Sequence, residues 1–468
     1  MNKYLTNIKA FYEQPSYNQL IGVPQNGETI FKELYYMPRN VTSLPGAMAS
    51  SMVNSFTQAA KKHSALYLHI PFCKLRCSYC SFYRNPFNEE YVKQYVKALL
   101  TELELLQNNG IFSETTIDAV FFGGGTPSVL NSKQITAILN KIHSSTKLAT
   151  DCELTFESSI YDLTQEKLQA CLDSGINRFS FGVQTFDTNL RRTLGRLNTE
   201  VEVTKLLKTA SNTNAKIIID LIYGLPNQTT PMLLTDIDKA IDCGISGMDL
   251  YKLQIMPKSP LGQAIEKGSL LYDYAPKDLL EMYIAADEHL QKKAATQLSC
   301  CHWAFSSNEK NLYNTLVKSG TNIIACGINC GGRMGAYKYM KLMNKEAYET
   351  ALNQKKYPVM AIGKQNCAYE LLEQLAGQCD KGILNLNTLQ NCEHTNWSML
   401  LNPIIEHWLN IGLLKHQDDT YLFTANGKYY YRQMERVLLT ALEYALYGKP
   451  DITEQESPKM MGVMKNMK

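Results

Sequence analysis

From Ala65 onward the chain alternates two rhythms. Short apolar runs at Ala65–Ile70, Ile117–Phe122, Glu153–Glu157, Arg178–Gly182, Lys216–Tyr223 and Met248–Leu253 are bounded by turn residues and predict strands. Between them, Glu89–Gln107, Ser132–Ser144, Thr164–Ser174, Thr199–Ala210 and Pro231–Cys243 predict helices. In the first of these, Tyr91, Val92, Tyr95, Val96, Leu99, Leu103 and Leu106 return at helical spacing. Strands that alternate with helices imply a parallel sheet with right-handed crossovers. Six such units predict an α/β fold with a partial (βα)6 TIM-like barrel, whose site belongs at the C-terminal ends of the strands.

The flanks have other patterns. Residues 1–64 are broken by Pro15, Pro24, Pro38 and Pro45 into short pieces and read as a lead-in segment packed on the main domain, with a helix over Ala47–Lys62. The barrel and a substrate-covering extension span residues 65–364, with a further helix over Pro276–Lys293. Residues 365–447 read as a separate α+β domain. Helices at Cys367–Gly377, Trp397–Gly412 and Tyr429–Tyr447 flank a short hairpin that includes Tyr421–Thr424, a winged-helix-like arrangement. Residues 448–468 hold two prolines and four methionines and read as a flexible tail.

Composition narrows the function. Of 468 residues 45% are hydrophobic and 19% charged, which describes an ordinary globular chain. A net charge of +3 is too small to argue for nucleic acid or membrane as a partner, and no basic stripe follows the winged-helix-like region, so no nucleic acid is expected. No apolar run is long enough to insert in a membrane, and the N-terminus lacks the apolar core of a signal peptide. Thirteen mostly scattered cysteines suit a reducing cytoplasm, where thiolates are free for metal.

Three of those cysteines are not scattered. Cys73, Cys77 and Cys80 crowd one loop directly after the first strand. An iron–sulfur cube has four irons held by thiolates; three ligands leave one iron open to a substrate. A zinc site short of one ligand and a chance cluster are the alternatives. Lys74 and Arg76 in the loop are placed either to offset a cluster's charge or simply to face solvent. Further on, strand two ends in Gly123-Gly124-Gly125-Thr126-Pro127, where missing side chains let a ligand approach backbone N–H groups. Glu157 ends strand three, Gln184 follows strand four, Arg196 lies in LGRLN, and Asp220 stands inside an apolar strand, where an acid is costly unless partnered. Asp220 with Arg196 is readable as a structural ion pair.

The run YLHIPFCKLRCSYCSF, followed one βα unit later by GGGTP, resembles the radical S-adenosylmethionine (radical SAM) superfamily, and within it the coproporphyrinogen dehydrogenase and haem-chaperone branch. The resemblance covers roughly Tyr67 to Pro260. It implies the partial barrel, a 4Fe–4S cluster on Cys73, Cys77 and Cys80, and SAM bound at the open iron as source of a 5′-deoxyadenosyl radical. Matched position by position, it implies that Tyr67, Gly124 and Glu157 surround that SAM. It implies likewise that Tyr79, Gly125, Thr126, Gln184, Arg196 and Asp220 surround a second SAM, with Gln254 where that shell continues. The dehydrogenase has a further cysteine two residues after the third ligand; Phe82 stands there in this chain.

After strand six, CCHWAFSSNEKNLYN (Cys300–Asn314) and ACGINCGGRMG with Gly327, Gly331 and Gly332 resemble the anaerobic haem-degrading radical SAM methyltransferases, or anaerobilin synthases. This likeness implies opening of a haem macrocycle with methyl transfer from the second SAM, release of iron, and a flavodoxin-like or flavin electron donor. A haem-trafficking chaperone and oxygen-independent coproporphyrinogen decarboxylation are the rival readings. His302, beside Trp303, is the candidate for haem-iron ligation or proton donation, against a packed histidine bonded to backbone. Cys300, Cys301, Cys326 and Cys330 are unevenly spaced and read as buried small residues rather than a second metal site.

Overall fold

The computed structural model describes residues 2–26, 28–32, 41–44, 63–80, 85–366, 368–389 and 395–449. The expected helix over Ala47–Lys62, the position of Phe82 and nearly all of the expected tail lie outside the described residues. The chain divides into two compact units, Val41–Tyr369 and a unit made of Met1–Asn40 with Glu370–Lys468.

The larger unit is built on six parallel strands in chain order: β1 (His63–Ile70), β2 (Thr116–Gly124), β3 (Lys147–Ser158), β4 (Arg178–Gln184), β5 (Lys216–Tyr223) and β6 (Gly247–Lys252). All six were expected, within a few residues at their ends. β3 starts earlier than its apolar run because Lys147 and Leu148 pair with Thr116 and Ile117. The helices between them form for local reasons. In Glu89–Asn108, the Asn88 side chain accepts from Tyr91 N at 2.8 Å and two glutamates occupy the first turn, complementing the helix dipole. Its buried face is Val92, Tyr95, Val96, Leu99, Leu103 and Leu106.

The arc of strands does not close. On one side β6 pairs antiparallel with β8 (His302–Ala304), which pairs with β7 (Thr296–Ser299). On the other, β1 pairs parallel with β9 (Asn322–Cys326). Antiparallel pairing then continues through β10 (Gly331–Met334), β11 (Tyr337–Lys341), β12 (Val359–Gln365) and the short strand Val41–Leu44. A buried polar hub ties this extension to the helical layer. Glu102 forms an ion pair with Lys341 and accepts from Tyr348 Oη at 2.6 Å and from Gly327 N at 2.8 Å. Lys341 also lies over the Tyr357 ring.

The smaller unit is winged-helix-like. Helices Tyr369–Lys381, Trp397–Asn410 and Tyr431–Tyr447 accompany a three-stranded antiparallel sheet of Ile383–Leu384, Thr420–Phe423 and Leu414–Gln417. The sequence placed residues 1–64 as one lead-in on the barrel; residues 2–32 instead belong to this unit. Helix Asn2–Tyr12 buries Tyr4, Ile8 and Phe11, with Phe11 edge-on to Tyr444 and Tyr4 beside Trp397. Trp408 Nε1 donates to Ile21 O at 2.7 Å. That amphipathic stripe needs an apolar partner, and these aromatics supply it.

Candidate active site

The cysteine loop is pinned from three sides. Phe72 and Cys73 pair with Asn85 and Pro86, and Phe72 is fully buried, edge-on to Tyr91 and Tyr95. Ser78 N donates to Leu194 O at 3.0 Å and Ser78 Oγ to Thr193 O at 2.9 Å. Gly125 N donates to Ile70 O, and a side chain at Gly125 would come 2.7 Å from Phe72 O, so glycine is required there. Gly124 has φ +116°, a left-handed conformation that glycine alone adopts without strain, and a Cβ would strike the His69 ring at 2.8 Å.

Cys73, Cys77 and Cys80 form no disulfide and are half-buried. Burial pushes the Cys73 thiol up to about 11, against a hydrogen bond from Thr126 Oγ1 at 3.3 Å, and burial raises Cys77 as well. Metal binding must displace those protons. Among the described residues no three His, Cys, Asp or Glu side chains converge on one metal ion. A single zinc draws every thiolate to within about 2.3 Å of one point, whereas a cube spreads them over separate irons. Three thiolates on one loop are the donor set that anchors three irons of a cube and leaves the fourth open to a ligand. Lys74 pairs with Asp162 at 3.2 Å, and Arg76 is exposed.

Around the mouth, Tyr67 Oη meets His69 Nδ1 at 3.0 Å, and burial lowers the His69 imidazole to about 4, keeping it neutral. Tyr67 stacks with Phe121 and Tyr313, whose rings are 4.4 Å apart. Burial pushes Glu157 up to about 7, although it accepts a hydrogen bond from Gly124 N–H. Asp220 is raised strongly, first by burial and then by the charges of Asp249 and Glu157. Arg196 Nη2 donates to Tyr79 Oη at 2.9 Å; it acts on Asp220 as a charge but does not hydrogen-bond it, so the expected ion pair is not formed. Gln184 is buried with φ +70°, and its Oε1 and Arg196 Nε have no hydrogen-bond partner. Gln254 stands exposed, two residues beyond the end of β6.

His302 starts β8, directly opposite Asp249 of β6. It is fully buried, its Nδ1 3.0 Å from Asp249 Oδ1 and its Nε2 3.4 Å from Glu309 Oε1, the latter a charge contact without hydrogen-bond geometry. Burial pulls the imidazole down, but Asp249 and Glu309 outweigh it and hold the ring at about 9. Burial likewise opposes ionisation of Glu309, yet His302 and Arg178 bring it to about 2; Arg178 Nη2 donates to it at 3.0 Å. Both imidazole nitrogens face carboxylates rather than the backbone groups expected of a packed histidine. Cys326 and Cys330 are buried, and Cys330 Sγ donates to Gly327 O at 3.3 Å. Sequence reasoning passed over His69, Asp249, Arg178 and Glu309; a charged residue inside a strand run, such as Asp249 in MDLYK, was the available signal.

The family model described as the Radical SAM superfamily matches residues 67–240. Anaerobilin synthase of Escherichia coli O157:H7 is 30% identical over 413 residues, 86% of this chain and 91% of that protein. The chain belongs to the radical SAM superfamily. Its place is in the branch of the coproporphyrinogen oxidases and heme chaperones. Heme chaperone HemW of Lactococcus lactis is 27% identical over 371 residues, 78% of this chain and 95% of that one. The solved structure of coproporphyrinogen III oxidase (HemN) from Escherichia coli superposes with a TM-score of 0.71 at 18% identity, covering 83% of this chain and 93% of that one, and shows the shared fold. As radical SAM proteins use a 4Fe–4S cluster and SAM, this chain does too. Among the described residues no helix is long and apolar enough to cross a membrane.

Proposed function

We propose that this radical SAM enzyme opens the haem macrocycle without oxygen, with methyl transfer from a second SAM, to give free iron and a linear tetrapyrrole. The observation that carries this is the continuous likeness to an anaerobilin synthase over 91% of its length, well beyond the 67–240 core shared by the superfamily. Cys73, Cys77 and Cys80 would hold the cluster. Tyr67, Gly124 and Glu157 would hold one SAM, and Tyr79, Gly125, Thr126, Gln184, Arg196 and Asp220 the other. Cluster and SAM, when bound, supply one-electron radical chemistry.

The chain's own contribution is orientation and exclusion of water. Arg196, steadied by Tyr79, presents a fixed cation to a carboxylate. The unpartnered Gln184 Oε1 is ready to accept from an ammonium or amino group. Glu157, near 7, holds or releases a proton at the carboxyl that Gly124 N–H orients. Tyr67, Phe121 and Tyr313 wall the lumen with near-parallel rings suited to a flat macrocycle. His302 is proposed as a buried bridge between β6 and the 309 loop. An external low-potential flavodoxin-like or flavin donor, in a reducing compartment, would supply electrons.

The match to 95% of a heme chaperone favours a second reading, stable haem carriage. Anaerobic incubation of reconstituted protein with haem, methyl-deuterated SAM and a reductant separates them. A deuterated linear tetrapyrrole is expected. Intact bound haem would support carriage, and an unlabelled opened product would remove methyl transfer from the proposal.

A further inference from the structure

Arg191 lies on the short helix Thr188–Thr193, where a charged residue would ordinarily face water, yet it is 1% exposed. It donates to three backbone carbonyls: Nη1 to Val183 O at 2.7 Å and to Thr185 O at 3.0 Å, and Nε to Asn198 O at 2.7 Å. Val183 and Thr185 flank Gln184. That residue's φ of +70° is a left-handed conformation that a non-glycine residue keeps only where its surroundings enforce it. At this point the pairing of β4 with β5 slips, from Asp220 opposite Gly182 to Leu221 opposite Gln184. Asn198 lies two residues beyond Arg196, and Arg196 N donates back to Arg191 O at 2.8 Å. One guanidinium therefore grips the backbone on both sides of Gln184 and the loop that carries Arg196.

The two side chains so held converge. A Cβ at Gly182 would come 3.0 Å from Gln184 Nε2 and 3.3 Å from Arg196 Nη2, so both head groups lie over one glycine. Each also keeps one buried polar atom without a partner, Gln184 Oε1 and Arg196 Nε. As a packing element Arg191 is expensive. Burial and the neighbouring Arg196 charge pull its ionisation down to about 10, and an apolar side chain would avoid that cost. What the guanidinium contributes is geometry, because its planar fork fixes several acceptors at once.

We propose that Arg191 is the positioning residue that presents Gln184 and Arg196 to the second SAM. The inference rests on the reading above, in which those two residues hold that SAM, and adds the residue that makes them competent to do so.

Equilibrium dialysis with labelled SAM tests it, on reconstituted full-length protein with an oxidised cluster and no reductant. Wild type should bind two SAM per cluster. Arg191→Met should keep its iron content, its melting temperature and one SAM, with the second weakened about ten- to hundredfold by the loss of charge-assisted hydrogen bonds to the loops. Arg191→Lys, which retains the charge without the fork, should fall between and guards against a Met variant that does not fold. Two SAM bound by Arg191→Met with wild-type affinity would overturn the inference and leave the two-SAM reading standing. So would loss of iron or of both SAM in Arg191→Lys, which would make Arg191 a general structural residue. One SAM on the wild type would remove the two-SAM reading and this inference with it.

Discussion

Cys73, Cys77 and Cys80 are each expected to be indispensable to the cluster, because a cube on two thiolates loses an anchored corner. Replacing any one by alanine should abolish the brown absorbance and the bound iron while the far-UV spectrum stays native; a variant with full iron content would contradict the assignment. His302 makes a different prediction. Its folded value of about 9 lies above the ordinary 6.5, so its contribution to stability is fully present below about pH 6.5 and lost as pH rises through about 9. That difference is worth up to about 3 kcal/mol at 1.36 kcal/mol per unit. Thermal melts of the wild type should fall over this window, and His302→Gln, less stable throughout, should fall less. Equal slopes would show that the ring does not carry the buried charge. In the sequence the three cysteines stood out by spacing, and only the resemblance carried by their flanks implied a cluster. The partners of His302 were not, since Asp249 and Glu309 meet it only through the pairing of β6 with β8 and the turn that follows. Arg191 was hidden for a similar reason: on a short polar helix nothing separates a clamp from a solvated charge.

At the scale of elements, the parallel units were readable because each strand holds a short, largely buried run rich in apolar residues between turn signals. The antiparallel strands after residue 295 were not. They are three to seven residues long, interrupted by Cys and Gly, and one of them pairs with Val41–Leu44 across most of the chain. The turn after β2 is the element most exposed to test. A side chain at Gly125 would press on Phe72 O at 2.7 Å, and backbone cannot yield as a flexible side chain can. Gly125→Ala should therefore displace the Phe72–Cys73 strand and lower iron incorporation severalfold, measured by iron and sulfide analysis after reconstitution. Gly268→Ala, whose Cβ meets nothing within 4 Å, has a positive φ and so controls for backbone strain alone. Similar losses in both would deny the steric account.

Across the larger unit, the hub of Glu102, Lys341 and Tyr348 joins the first barrel helix to the extension and holds the 327 loop by its backbone N–H. Both charged side chains have no exposed surface. Removing one partner strands the other, at a cost of about 3–5 kcal/mol, whereas removing both is far milder. Urea titration should show Glu102→Leu strongly destabilised and the double variant with Lys341→Met recovering a good part of the loss; strictly additive losses would mean the pair is not coupled.

The open arc has one further consequence. A closed barrel fills its own interior with layers of side chains, but here the open sheet buries Glu157, Asp220, Gln184 and Arg196, and two polar atoms among them, Gln184 Oε1 and Arg196 Nε, find no hydrogen-bond partner. On the reading proposed above, the small molecules are building material as much as reactants: each one that enters would supply partners for polar atoms that the chain leaves without. Resistance to heat becomes a tally of occupants. Each independent site filled at a hundred times its dissociation constant adds about 2.7 kcal/mol, so a melting curve read against SAM concentration, before any turnover, reports how many places the lumen has to fill.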